Sequence, residues 1–382
     1  IGSLRRLRRS ALQLGELNRR ERQKIPHNHK PRKTKSRLRM ARIHFLNVGE
    51  GDCCIIQHNN GNRATMIDIC GGNKSEDTVA YDRMLKIAGA ATESDGGGNF
   101  NMAAWATKPQ TYLREINIER IWRFVLSHPD MDHMDGFSAL MNEFPIDNFW
   151  HMGAVREKPD FKNYGRYKEE DWDRYASVRD GKEAGTRTLN VTEGQRFKFA
   201  NLDNEGRSGG DGITILAPTK ELVELAHKTG DFNDCSYVLL YQTADHKIIF
   251  GGDSHDETWG HILENHRELV ENCDVLIAPH HGRSSGRSWK FLDVLKPKLT
   301  LFGTAKSEHL AYGAWYNRKL EYITNNQAGN VVLEVADNGD LDVYVENSNF
   351  AANRNSLLST IKNGQGYHMV TFIKSKTTAT GA

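Results

Sequence analysis

The chain has 382 residues, 38% of them apolar, and a formal net charge of +2, so it can hold one large domain or two ordinary ones. No apolar run approaches the roughly 18–20 residues that span a membrane, which excludes the integral membrane class. The five cysteines are odd in number and include no Cys-x-x-Cys pair. This pattern argues against a disulfide framework and predicts a reducing, cytoplasmic compartment.

The charge is distributed unevenly along the chain. Residues 1–39 contain 14 Lys/Arg and 2 Glu, whereas the remainder contains 37 Lys/Arg and 47 Asp/Glu. One interpretation of the basic segment is a nucleic-acid-binding arm. The other, which we favour, is a disordered tail or upstream sequence not native to the domain, since few large apolar residues follow Leu17 and Met40 directly precedes the first strand.

The first part of the domain has the pattern of a hairpin-rich sheet. Alternating and apolar runs separated by glycine turns predict strands at 42–48, 53–57 and 64–69. Helices are expected at 78–88 and 110–117, with a flexible glycine-rich loop at 90–101. An apolar run at 121–126 then predicts a buried strand.

Residues 127–136, which directly follow that strand, are the most informative stretch of the chain. They read Ser-His-Pro-Asp-Met-Asp-His-Met-Asp-Gly. Nitrogen and oxygen ligands leaving the end of one strand are typical of a site for one or two divalent cations. A single His or Asp would be interpreted as a solvated surface residue. Here the position at a strand end, the spacing and the ligand chemistry all indicate a metal site. The candidate ligands are His128, Asp130, Asp132 and His133.

A helix at 137–143 and a strand at 148–152 are expected next. Residues 154–190, rich in charge and aromatics, predict an inserted helical segment whose aromatics pack onto the body or, alternatively, line a substrate cleft. A second strand-rich section follows, with helices expected at 220–228, 258–271 and 289–295. Its strands are predicted at 196–199, 213–216, 236–242, 247–251, 275–278, 299–302, 331–335 and 341–345.

Two strand-rich halves of this kind predict an α/β fold with two mixed sheets packed face to face and helices outside. We expect this domain to occupy residues 40–350. Residues 351–382 are expected to form a C-terminal tail.

Two later strands also end in ligand-type residues. Asp253 follows the apolar run 248–250 and two glycines, and Pro279-His280-His281-Gly282 follows the apolar run 275–278. A lone Asp at a strand end is more often a helix N-cap, and adjacent histidines point in different directions, so one could bind metal while the other faces substrate. The helix expected between the strands makes a strand–helix–strand unit, whose strand ends open on the same edge of the sheet.

The order of these motifs resembles the metallo-β-lactamase fold, an αββα sandwich. More narrowly, it resembles the hydrolase domain of the DNA-uptake protein ComEC and its free-standing relatives. That branch has His-x-Asp-x-Asp-His where much of the superfamily has His-x-His-x-Asp-His. The resemblance covers roughly residues 41–346 and rests on Gly49–Asp52, Ile67-Asp68, the 127–136 cluster, Phe250–Asp253 and Pro279–Gly282.

The resemblance implies two divalent metal ions, Zn or Mn. His128 and Asp130 would bind the first ion, and Asp132 and His133 the second. Asp253 would bridge the ions, and His281, or else His280, would complete the second site. The His that completes the first site in much of the superfamily has no clear counterpart, and Asp234 or Asn233 occupies the expected turn. Asp52 and Asp68 would orient ligands through hydrogen bonds.

The function implied is metal-assisted hydrolysis of a phosphodiester, with nucleic acid or a small diester as the substrate. Hydroxide held between two cations would attack phosphorus. Asp132 would orient the nucleophile, and His280, Lys306 or His309 would protonate the leaving group or pair with a phosphate oxygen. The alternatives are hydrolysis of a small ester, such as a phosphorylcholine ester, cyclic nucleotide or lactone, and a non-catalytic metal-binding scaffold.

Overall fold

The computed structural model describes residues 41–59, 63–87, 100–202, 210–305 and 307–376. The basic segment 1–39 and most of the predicted loop at 90–101 lie outside the described residues, as does Lys306. Within the described ranges, every helix is too short or too polar to cross a membrane.

The strands of the described ranges are numbered along the chain. They are β1 (Arg42–Phe45), β2 (Cys54–Gln57), β3 (Ala64–Ile67), β4 (Ile121–Val125), β5 (Ile146–His151), β6 (Arg187–Asn190), β7 (Ile213–Ala217), β8 (Val238–Thr243), β9 (His246–Phe250), β10 (Val275–Ile277), β11 (Leu299–Phe302), β12 (Tyr322–Thr324), β13 (Val331–Val335), β14 (Leu341–Val345) and β15 (His368–Ile373).

These strands form two mixed sheets. The first has the order β15-β14-β13-β1-β2-β3-β4-β5-β6, and its strands β3 to β6 pair in parallel while the others are antiparallel. The second has the order β12-β11-β10-β9-β8-β7, with β9 to β12 parallel and β7 to β9 antiparallel. Most residues of the parallel strands β4, β5, β9, β10 and β11 are buried because each sheet is covered on both sides, whereas β6 at the sheet edge is exposed or half-buried.

Helices cover the outer face of each sheet. The helices of the described ranges are Glu76–Ile87, Pro109–Glu115, Phe137–Glu143, Glu169–Arg179, Lys220–Thr229, Asp256–Asn265, Arg267–Val270, Leu292–Leu295, Tyr312–Tyr316, Asn325–Ala328 and Ser348–Arg354. The helix Lys220–Thr229 shows how their ends are set. The Thr219 side chain accepts a hydrogen bond from the Leu222 amide, and Gly230 ends the helix in a left-handed conformation.

Three large parts of the hydrophobic core define four layers, and a smaller fourth cluster among the described residues joins Val332, Tyr344 and Met369. The central part lies between the sheets and joins residues such as Ile43 of β1 and Leu239 of β8. A second part packs Phe124 of β4 against helix residues such as Trp172. A third covers the other sheet and includes Trp259. The predicted αββα sandwich with helices outside is therefore confirmed.

The prediction of a C-terminal tail after residue 350 was wrong. The segment continues as the helix Ser348–Arg354 and then as β15, which pairs antiparallel with β14. Without β15, the edge of β14 would expose unpaired backbone groups, so the last strand completes the sheet.

Three further predicted elements differ from the structure. The insertion at 154–190 contains one described helix, Glu169–Arg179, and ends in β6, which extends the first sheet parallel to β5. The strand predicted at 196–199 is irregular, with Phe199 in a left-handed conformation (φ 68°). The helix predicted at 258–271 is divided at His266, whose φ of −130° is not helical.

Candidate metal centre

The candidate site lies where strands of both sheets end. β4 leads directly into residues 127–133, and the parallel neighbours β9 and β10 lead to Asp253 and to residues 279–282. The Tyr237 amide, just before β8, donates to the Ser127 carbonyl at 2.9 Å, which ties the second sheet to the end of β4. The expectation that the strand ends at Asp253 and His281 share one edge is confirmed by this parallel pairing.

Asp253 lies at the centre of the group and is 3% exposed. Its Oδ1 is 3.5 Å from His133 Nε2, and its Oδ2 is 3.9 Å from His128 Nε2 and 4.0 Å from His281 Nε2. These separations are too long for hydrogen bonds. They leave room for an ion at the roughly 2.0–2.2 Å that Zn²⁺ keeps from nitrogen and oxygen ligands.

Two more carboxylates approach the same histidines. Asp132 Oδ2 lies 3.7 Å from His281 Nε2 and 3.9 Å from His133 Nε2. Asp130 Oδ2 lies 3.7 Å from His128 Nε2. The structure thus brings together six residues predicted from sequence as ligands, His128, Asp130, Asp132, His133, Asp253 and His281. Two candidate metal-binding groups among them overlap at His133: one holds His128, His133 and Asp253, and the other holds Asp132, His133 and His281.

Several buried atoms of these groups have no hydrogen-bond partner among the described residues. They are the Nε2 atoms of His128, His133 and His281, together with Asp253 Oδ1. Leaving a buried polar atom unsatisfied costs about 1–3 kcal/mol, so four such atoms converging on one point need a common partner. A divalent cation with nitrogen and oxygen ligands fits this donor set, and Zn²⁺ or Mn²⁺ suits it by ligand type.

Hydrogen bonds at the far side of two histidine rings orient their Nε2 atoms toward the centre. His133 Nδ1 lies 2.8 Å from Asp68 Oδ2, and His281 Nδ1 lies 2.9 Å from Asp52 Oδ1. A carboxylate can only accept, so each Nδ1 carries a hydrogen and each Nε2 can offer its lone pair to a metal. Gly303 packs against one pair, and a Cβ there would lie 2.9 Å from Asp52 Oδ1.

We expect Asp52→Ala to weaken metal binding by about 10–100-fold while the fold persists, because His281 would lose the partner that orients its ring. Competition with a chromogenic chelator measures this affinity. Asp77→Ala, at an exposed position in the helix Glu76–Ile87, is the matched control. Equal affinities in the two variants would mean that the Asp52–His281 contact does not support a ligand.

The metal-free site compensates its carboxylates with protonated histidines. Burial by itself lowers the pKa of His281, but Asp52 and Asp253 outweigh it and raise that pKa to about 10. The pKa of His133 is likewise raised, against the effect of burial, by Asp253 and Asp68. Burial alone would raise the pKa of Asp253, yet the neighbouring imidazoles hold it well below its usual range.

These shifts predict a pH-dependent stabilisation by metal. A His whose pKa is raised on folding contributes stability that is complete below its unfolded value, 6.5, and is lost as pH rises through the folded value, about 10. A bound cation replaces that proton. The increase in melting temperature on metal addition to chelator-treated protein should therefore grow from pH 6.5 to pH 9. Thermal melts across this range measure it, and a constant increase would contradict the assignment.

The remaining predicted site residues lie in different places. His280 Nε2 is 3.7 Å from Asp253 Oδ2, so both adjacent histidines direct Nε2 to the same carboxylate, and the expectation that they point in different directions was wrong. Burial, with a further contribution from Arg287, lowers the pKa of His280 to about 3. His309 is half-exposed and lies 3.6 Å from Glu308.

Asp234, predicted as a metal ligand, does not join the Asp253 groups. Its Oδ1 lies 3.2 Å from His255 Nδ1, and its Oδ2 accepts a hydrogen bond from the Thr229 hydroxyl. Asp234 lies instead in a separate group of possible metal ligands with His255 and Glu257. It is placed apart from the other predicted ligands, and its role as a ligand stays a prediction.

Arg156 and Arg287 are two site residues that the sequence analysis missed. Arg156 Nη1 contacts Asp130 Oδ1, on the side of that carboxylate away from His128, and also lies 3.4 Å from the Pro129 carbonyl. Arg287 is 7% exposed and donates to the Asp253 and Ser254 carbonyls. An arginine within a charged insertion gives no sequence signal that distinguishes it from a surface residue.

Neither a protein-family model nor a curated protein matches the chain. Among solved structures, it is similar to a diphosphatase of the PhnP family, with 11% identity over 77% of this chain and 99% of that one (TM-score 0.37). It is also similar to the metallo-β-lactamase SMB-1, with 14% identity over 62% and 76% (TM-score 0.31), and to a long form RNase Z from yeast, with 11% identity over 72% and 39% (TM-score 0.31).

Proposed function

We propose that this protein is a hydrolase that uses two divalent metal ions, zinc or manganese, to cleave phosphodiester bonds. The observation that carries the proposal is the convergence of buried, unsatisfied nitrogen and oxygen atoms on Asp253. Perturbed ionisable groups gathered at the ends of strands are typical of a catalytic site.

Each residue has a distinct part in this proposal. Asp253 presents one carboxylate oxygen toward His133 and the other toward His128 and His281, so it can hold two ions at once. Bound ions would supply a water of lowered pKa and would compensate charge on the phosphoryl group. Asp132, whose side chain is 32% exposed, orients the nucleophilic water from the open side of the site.

Positive charge beside the site favours an anionic substrate. Arg156 lies against Asp130, and Arg287 lies behind Asp253. Arg166, in the same insertion as Arg156, lies 3.3 Å from Glu50, which precedes Asp52 in the same turn. Guanidinium groups at the edge of a metal centre suit phosphate oxygens, which accept hydrogen bonds in pairs. A phosphodiester, in nucleic acid or in a small molecule, fits this lining.

The position of the insertion favours a second candidate substrate, a small ester in place of a nucleic-acid polymer. Arg156 reaches from the insertion to the Pro129 carbonyl and lies 5.5 Å from the ring of Phe232. The insertion therefore covers the side of the site at Asp130, which restricts access by a long duplex.

A substrate panel separates these candidates. The whole chain, loaded with Zn²⁺ or Mn²⁺, is incubated with bis(p-nitrophenyl) phosphate, with single- and double-stranded DNA and RNA, and with a chromogenic lactone. We expect the diester to be cleaved. Cleavage of small substrates with every nucleic acid intact would exclude a nuclease. Less than about one equivalent of metal, with no activity on any substrate, would favour the non-catalytic scaffold.

A further inference from the structure

His280 and His281 both direct Nε2 to the Asp253 carboxylate, but their Nδ1 atoms have partners of opposite charge. Both Nε2 atoms face Asp253 Oδ2, at 3.7 Å and 4.0 Å. His281 Nδ1 faces the Asp52 carboxylate at 2.9 Å. His280 Nδ1 lies 2.6 Å from Arg287 Nη1 and 2.8 Å from the Ser285 hydroxyl.

These partners decide where each ring carries its hydrogen. The Asp52 carboxylate can only accept, so His281 keeps its hydrogen on Nδ1 and has a lone pair on Nε2. The Arg287 guanidinium can only donate, so His280 must accept at Nδ1. The hydrogen of the neutral His280 ring then resides on Nε2, where it blocks metal coordination and can be donated to a substrate oxygen.

Arg287 is fixed in place by the backbone that follows Asp253. Its Nε donates to the Ser254 carbonyl at 2.9 Å, and its Nη2 donates to the Asp253 carbonyl at 2.5 Å. A third donor, Nη1, is thereby aimed at His280 and at the Ser285 hydroxyl, 2.7 Å away. The guanidinium thus links the backbone of Asp253 to the orientation of the neighbouring imidazole.

The backbone of His280 is also held in an unusual conformation. Its φ of 51° and ψ of 46° lie in the left-handed region, which residues other than glycine rarely adopt. The amide of His280 donates to the Gly252 carbonyl at 2.8 Å, which stabilises this conformation. Strain of this kind persists where surrounding contacts enforce it, typically at functional sites.

We propose that Arg287 is a positioning residue that fixes His280 with its hydrogen on Nε2, so that His280 is a hydrogen-bond donor to a phosphoryl oxygen and not a metal ligand. This inference rests on the proposed function, because the phosphoryl oxygen belongs to that substrate. His280 keeps its proton throughout, since losing it would leave an imidazolate. Protonation of the leaving group by His280, one of the roles expected from sequence, is therefore not part of this proposal.

The test compares His280→Ala, Arg287→Met and Arg287→Lys with the whole wild-type chain. Metal content is measured by mass spectrometry, and ring tautomers by long-range ¹H–¹⁵N NMR of the zinc-loaded, histidine-labelled protein, with His280 assigned by its loss in His280→Ala. Turnover of bis(p-nitrophenyl) phosphate is measured in parallel. Arg318→Met, which removes an arginine paired with exposed Asp293, is the matched control.

We expect all variants to keep the wild-type metal content. His280→Ala should lower kcat by about 10²–10³-fold, as for the loss of one donor to a developing charge. Arg287→Met should lower it by about 10–100-fold, and Arg287→Lys should recover part of that loss because an ammonium also only donates. In wild-type protein, the His280 signals should show the hydrogen on Nε2.

Loss of one metal equivalent in His280→Ala, or a hydrogen on Nδ1 of His280, would overturn the proposal and make His280 a ligand. Unchanged kcat in both His280→Ala and Arg287→Met would overturn the donor role. Metal content and tautomer are read without a substrate. If the wild-type protein cleaves no phosphodiester, the proposed function fails on the turnover assay alone, while these two measurements still decide between ligand and donor. If Arg287→Met does not fold, the kcat and metal content of Arg287→Lys and His280→Ala decide whether the proposed roles of Arg287 and His280 hold.

Discussion

Asp253→Asn should lower kcat/KM for a phosphodiester by about 10³-fold or more and remove most of the bound metal. The substitution preserves shape but removes the negative charge that lies between His128, His133 and His281. An amide also offers one acceptor oxygen where the carboxylate offers two, so it cannot serve both groups. Metal content and steady-state kinetics, measured on the same preparations, test this expectation.

Asp337→Asn is the control for Asp253→Asn, because Asp337 is exposed in the turn between β13 and β14. It should match the wild-type protein in metal content and activity. Unchanged metal content and activity in Asp253→Asn would show that the metal centre is elsewhere.

Asp211→Asn should destabilise the protein by about 3–5 kcal/mol, because it leaves the charge of Arg123 uncompensated between the sheets. The Arg123 and Asp211 side chains are 0% and 1% exposed and form an ion pair. Arg123 also donates to the Thr65 hydroxyl at 2.9 Å and lies over the ring of Trp150. Urea unfolding followed by circular dichroism gives the free energy of unfolding.

Asp147→Asn is the matched comparison for this ion pair. Asp147 pairs with Arg120, but the two side chains are 25% and 58% exposed. An exposed pair contributes at most about 1 kcal/mol, so the comparison isolates the effect of burial. Similar decreases in the free energy of unfolding for Asp211→Asn and Asp147→Asn would contradict the expectation that the buried Arg123 charge depends on Asp211 for compensation.

The strand-end ligands could be predicted because their signal is local. One short stretch of sequence contains both the apolar run and the His128-Pro-Asp130 motif that follows it. Phe250-Gly-Gly-Asp253 can be recognised in the same way. The two packed sheets could be predicted for a related reason, since alternation and turn residues recur along the chain. The edge strands of the first sheet were harder to predict from sequence. β15 is recognisable as a strand only once β14 presents an edge that needs a partner.

The detailed arrangement of the site depends on contacts between distant segments. Nothing in Pro279–Gly282 indicates that both histidines adopt left-handed backbone and face one carboxylate. The role of Arg287 depends on how its loop returns to the Asp253 carbonyl, 34 residues away in sequence. Asp234 has the position in the motif order at which a ligand is expected. In the structure, however, it lies beside His255 and not in a group with Asp253.

Crystals grown with manganese or zinc and measured at the absorption edge of that metal test the central claim most directly. We predict two anomalous peaks about 3.5–4 Å apart, one on each side of the Asp253 carboxylate. Both peaks should lie among His128, Asp130, Asp132, His133 and His281, whose side chains surround that carboxylate. A map with no peak at Asp253, or with metal bound only elsewhere, would contradict the account.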